Sequence, residues 1–236
     1  MIPNGLVHYT AGDIERLSVE LLKSRPDVDF EPPINLEWLI ENAKDIRLEL
    51  DDELFVRHRV EGCVCKRYMS RELTIYVDTS ICSAASWIEY SEVLGEEFAH
   101  AILHQALIHM VNTKEDFIEL QSDPEWPRYE RDAKAFGLAI RMPAELVVRE
   151  AERIYPRVVD EYGFGDFMQV EMQMRNRLAT RFRASPQEAQ RRISSWQCNI
   201  RNRLVNSVQT QSNDLVPNTW ILKAEPPLIQ KPLFFE

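Results

Sequence analysis

Seven glycines in 236 residues are too few for a loop-rich or low-complexity chain. No apolar run approaches the roughly 18 residues that cross a bilayer, so no membrane span is expected. The opening stretch MIPNGLVHYTAGD has no basic flank followed by an apolar segment, so no signal peptide is expected either. Cysteine is scarce. Cys63, Cys65, Cys82 and Cys198 form no framework spacing, which suits a reduced, cytoplasmic protein. Cys63-Val64-Cys65 puts two thiols on one strand face, but without a second pair they read as small buried side chains rather than zinc ligands. Positive charge is also in deficit: the net charge of −10 repels nucleic acid on average.

What is present suits one substantial domain, with 44% apolar residues to fill a core. Thr10 can cap a helix from Asp13 to Lys23, with Ile14, Leu17, Leu21 and Leu22 as its inner stripe. SRPDVDFEPP is a proline-broken connector, and Asn35 caps a short helix through Leu36, Leu39 and Ile40. IRLEL, EGCVCKRYM and ELTIYVD read as strands of a small antiparallel sheet, with a turn near Ser70-Arg71. From Ala84 the pattern is helical, with Leu94, Phe98, Ala101, Ile102 and Ile108 on one face, interrupted by Gln105. SDPEWP reads as a loop and Tyr129 to Met142 as a helix with Ala133, Phe136, Gly137 and Ile140 inward. Pro143 then opens a helix to about Tyr162. Two more helices follow, the second capped by Ser185. The expected organisation is α+β: residues 1–165 as one domain, 166–206 as a helical, helix-turn-helix-like region, and 207–236 as an extended or poorly ordered tail.

Chemistry concentrates in Glu96-Glu97-Phe98-Ala99-His100, one residue away from the HExxH pattern of zinc peptidases. At about 100° per residue, Glu96, Glu97, His100 and His104 share one side of a helix. One side can therefore pack while the other lines a cleft. Residues i and i+4 project alike, so Glu96 and His100 can grip one ion, with Glu97 beside a bound water as general base. A second register pairs His100 with His104 and adds Glu97 one turn earlier. Ala101 would then stand where the base belongs, leaving a structural or inert site. A catalytic zinc needs a third protein ligand, and Glu130 on the next long helix is the candidate, with His104 and Asp132 in reserve.

The chain EEFAHAILH (96–104), ERDAKAFGLAIRMP (130–143) and LATRFRASPQEAQRRI (178–193) resembles the ImmA/IrrE family of zinc metallo-endopeptidases. That family's patterns run HELGHxxLH, ExxAxxFAxxLLMP and LAxxFxVSxxAxxxRL. The likeness covers about residues 10–197 in order and spacing, including EGCVCKRYMSRELTIYVD as the hairpin before the active helix. It implies a minimal zincin-like fold, with Glu96, His100 and Glu130 as metal ligands and Glu97 as catalytic base. His104 matches a trailing histidine outside the ligand set. The departure is Glu96, which replaces the family's first histidine.

A carboxylate for an imidazole takes the ion and its ligands from about +1 to about 0, so bound water is acidified less. Zinc is the first expectation, and the oxygen-rich set also suits manganese or iron(II). The resemblance implies a protein substrate, typically a helix-turn-helix repressor, and a bacterial or mobile-element regulatory role. Two readings stay open: a metal-dependent endopeptidase, and an inactive relative acting by protein binding, which Glu96 favours.

Residues 175–203 hold eight arginines against Glu188 alone, +7 in a chain whose remainder carries −17. These arginines read as a solvated helical face, with a nucleic-acid contact as the sharper alternative. Sequence-selective binding is not expected. In a salt-titrated DNA binding assay, affinity should be weak, fall steeply with salt and ignore sequence.

Overall fold

The computed structural model describes residues 9–25, 31–67, 70–83, 87–163 and 167–213, with side chains to residue 206. Helix α1, Ala11–Lys23, starts where Thr10 and Asp13 close a reciprocal capping box. Asn35 accepts from the Trp38 amide and starts α2, Leu36–Glu41. Strand β1, Ile46–Asp51, is followed by α3, Leu54–His58, then β2, Gly62–Lys66, and β3, Leu73–Asp78. The single turn of α3 was not legible in the sequence. It is too short to show a helical period, and only Leu54 of it is buried.

The sheet corrects the antiparallel expectation. Its order is β1-β3-β2, with β2 antiparallel to β3 but β1 parallel to β3. The chain reverses twice, through α3 and again at the hairpin, so β3 runs the way β1 does, and α3 with β2 forms the crossover a parallel pair requires. Burial explains the order. Strand β3 is buried at every residue but Tyr76 and takes the centre, while β1 exposes Arg47, Glu49 and Leu50 and takes an edge. Cys63 and Cys65 are both buried and unpaired, as small core side chains should be. Burial pushes the Cys65 thiol up to about 11 and the Cys63 thiol higher still.

Helix α4, Trp87–Leu103, is the central element, packed on β2, β3 and α7, Trp126–Arg141. Residues 84–86, where its pattern was expected to begin, lie outside the described residues. The pattern reaches Ile108, yet the helix breaks at His104, whose φ of −109° and ψ of 23° leave the α region. A short α5, Gln105–Ile108, and α6, Lys114–Leu120, follow. Helix α7 also begins earlier than expected, inside SDPEWP, because Pro127 suits a first helical turn.

Helices α4 and α7 meet glycine to glycine. A Cβ on Gly137 would stand 2.7 Å from the Gly95 carbonyl carbon and oxygen and 3.1 Å from the Glu96 nitrogen. Only a hydrogen fits between the two backbones.

The remaining helices are α8, Ala144–Tyr162; α9, Phe167–Phe182; α10, Pro186–Ser194; and α11, Ile200–Asn213. Ser185 and Glu188 form the capping box of α10. Helix α11 runs past the Asn206 boundary expected for the tail, through polar residues with no proline to stop it. Residues 214–236 of that tail lie outside the described residues, as do 26–30 of the early connector.

The arginine-rich segment is largely engaged with the protein itself. Arg192 donates two bonds of 2.9 Å to Glu15 on α1, and Arg141 on α7 forms a buried fork with Glu188. Arg181 reaches Glu150 and Glu31, Arg177 reaches Glu161, Arg201 reaches Glu171, and Arg183 lies over the Trp87 ring. These pairs fasten α9 and α10 to α1, α7 and α8, and α11 to α9.

Gly137→Ala should lower stability by about 1–3 kcal/mol in urea denaturation, because the methyl meets backbone that cannot turn aside. Gly12→Ala is the control. Its Cβ would meet nothing closer than 3.7 Å, so it should be neutral or stabilising.

Candidate metal centre

Glu96 and His100 project from α4 one turn apart, beside the Gly95–Gly137 crossing. Glu130 comes from α7, about two turns before Gly137 on the same helix. The crossing draws these helices together, and one donor atom from each of Glu96, His100 and Glu130 lies within 4.8 Å of the other two. His100 Nε2 is 3.7 Å from Glu130 Oε1, close to the roughly 3.3 Å between two ligands of one tetrahedral zinc. Among the described residues no other trio of His, Cys, Asp or Glu side chains converges in this way.

The burial of α4 departs from a helix with one packed and one open side. Gly95, Glu97, Phe98, Ala99, His100 and Ala101 are all buried, so the helix is enclosed on nearly every side. The opening is at Glu96, whose side chain is 21% exposed, and Glu130, 20% exposed. A cleft of about 360 Å³ begins at Glu96. It is lined by Glu92, Glu96, Lys134, Ser185, Gln187 and Arg191, so the N-terminus of α10 forms one wall.

His100 is held from several directions. Its ring stacks on Trp126 at 4.9 Å and 5° between planes, and Phe117 meets both rings edge-on. His100 Nδ1 lies 3.0 Å from His104 Nδ1. With the proton on His100 Nδ1, His104 accepts it and His100 Nε2 keeps a free lone pair, the tautomer a metal ligand needs. His100 Nε2 is buried without a hydrogen-bond partner, as a donor atom awaiting a cation would be.

The reserve candidates stand outside the trio. His104 faces His100 rather than a common centre, and burial pushes its pKa down to about 3, keeping it neutral. Asp132 is buried 3.5 Å from the Arg131 guanidinium, and its charge acts on Tyr9.

Glu97 is almost wholly enclosed, and its Oε2 has no partner. Burial above all, then the charges of Glu96 and Glu130, holds its carboxyl well above the usual carboxylate range. A Cβ on Gly62 would lie 2.8 Å from Glu97 Cγ and 2.5 Å from Val93 Cγ1, so the edge strand needs glycine there to let Glu97 in. Glu96 is likewise raised, by burial first and then by its contact with Glu130. Glu130 is lowered: burial acts against ionisation, but the nearby His100, Glu96 and Lys134 outweigh it. A dication would draw protons off this cluster as it bound.

Trp126, Phe117, Lys134 and Gly62 escaped the sequence reading. Trp126 and Lys134 carried a local signal, one turn before and one turn after Glu130 on the same helix face.

Two helices thus converge an EExxH segment and a downstream glutamate on one point. Residues 85–194 match the model of the Peptidase_M78 family, the IrrE N-terminal-like domain, in agreement with the ImmA/IrrE resemblance of the sequence. The matched span takes in both donor helices and ends with α10. None of the curated proteins compared matches the chain.

Glu96→His should keep the fold, because the position opens on the cleft. An imidazole restores the family's donor set, so zinc affinity by titration calorimetry should rise or hold and any proteolysis should increase. Negligible zinc binding by both proteins would mean that EEFAH is a remnant of a site.

Proposed function

We propose that this protein is a metal-dependent endopeptidase, with Glu96, His100 and Glu130 as ligands and Glu97 as general base. What carries this reading is the buried, unpartnered Nε2 of His100 facing the Glu130 carboxylate, with a second unpartnered oxygen on Glu97. The donor set fits a divalent ion: two carboxylates and one imidazole, with a cleft opening beside Glu96. Zinc is the first candidate, and manganese or iron(II) follow from the oxygen-rich set. Such an ion supplies a Lewis acid that acidifies water and polarises a peptide carbonyl.

The chain's own residues do the rest. Glu97 takes a proton from the attacking water and delivers it to the leaving amine, a task matched to a carboxyl whose pKa lies above the ordinary range. His104 fixes the tautomer of His100, and Trp126 with Phe117 holds the ring in place. The substrate is a protein chain entering the cleft, and a helix-turn-helix repressor is the class we propose, in a regulatory and cytoplasmic setting.

The test is metal analysis and proteolysis of the purified protein beside Glu97→Ala. Both should hold about one ion per chain, and the variant should lose about 10²–10⁴-fold in hydrolysis of a repressor panel or a denatured protein. Metal in both without cleavage by either would favour a binding role. Absence of metal from both would sink the site.

A further inference from the structure

Lys134 has no place in the mechanism above, yet it sits on the site. Its Nζ lies 3.4 Å from Glu96 Oε1 and 3.1 Å from Glu130 Oε2. Glu130 thus divides its oxygens, one toward His100 and one toward the ammonium. Lys134 is one turn after Glu130 on α7, so the spacing of a single helix places it there. Its side chain is 58% exposed and lines the mouth of the cleft, free to swing into water on its flexible stem.

Glu96 is what makes such a cation necessary. A histidine there would leave Glu130 as the only carboxylate among the three ligands. With glutamate, two carboxyl groups share one partly enclosed spot, and when both are ionised they repel each other unless a cation lies beside them. An ammonium can supply that charge, and so can a metal ion. Both draw on the same lone pairs, and they repel each other.

We propose that Lys134 is a built-in counter-ion that competes with the metal for Glu96 and Glu130, so that loading the site requires its ammonium to swing outward. The inference rests on the metal-binding reading of the site. It makes metal affinity a property of the Glu96–Lys134 pair, and not of the three ligands alone.

Zinc titrated calorimetrically into the metal-stripped full chain tests it. Lys134→Met should bind zinc about 10-fold tighter, the scale of effects from groups around a ligand shell. Lys134→Arg keeps the charge and should stay near the parent. In a Glu96→His background the same Lys134→Met change should gain distinctly less, because one of the two contested carboxylates is gone. Without zinc, Lys134→Met should melt below the parent, and zinc should then raise its melting temperature by more. Equal or weaker zinc binding by Lys134→Met overturns the inference, as does an undiminished gain beside Glu96→His. No zinc uptake by the parent or any variant would instead remove the metal site on which the inference rests.

Discussion

The contact of Gly95 with Gly137 is the constraint on which the site depends. Donor groups on separate helices meet at one point only if the helix axes approach closely, and side chains at a crossing normally keep axes about 8–10 Å apart. With hydrogen alone at both positions, the backbone of α7 lies against the peptide that leads into Glu96. Glu96 and His100 on one helix and Glu130 on the other then need no long reach. Gly62 plays the same part on the other side, where edge strand β2 comes close to the stem of Glu97. Two places where the chain has no side chain thus define where its reactive side chains stand.

That closeness has an electrostatic cost. Three carboxyl groups, Glu96, Glu97 and Glu130, gather beside two buried imidazoles, and burial disfavours charge on each. The molecule offsets this by holding the Glu97 carboxyl above the usual carboxylate range, by setting Glu130 beside His100, and by placing an ammonium across the two outer carboxyl groups. A site with a histidine for Glu96 would need less of this. Glu96 thus bears on the charge arrangement around the site as well as on the donor set.

The arginines of the C-terminal helices belong to the same structural logic. The buried forks of Arg141 with Glu188 and of Arg192 with Glu15 span three helices and hold α10 where it walls the cleft. Burying such pairs brings little net stability, but leaving one partner unmatched would be severe, so they fix the position of α10 more than they strengthen it. The segment reads as basic in one dimension and as bonded to acids in three.

The sequence by itself determined whatever acts over a few residues. The boxes Thr10–Asp13 and Ser185–Glu188 start their helices, alternation marks the three strands, and the spacing of Glu96 and His100 puts both on one helix face. Motif order also carried the family resemblance as far as Glu130, the position that meets His100. Only tertiary structure decided the rest. The parallel pairing of β1 with β3, the stack of Trp126 on His100, and the reach of Lys134 to Glu96 all join residues whose meeting no local period encodes. Caps and periodicity arise from bonds and sterics within one or two turns. Convergence of two helices depends on how closely their axes can pass, and here two glycines on different helices set that distance together.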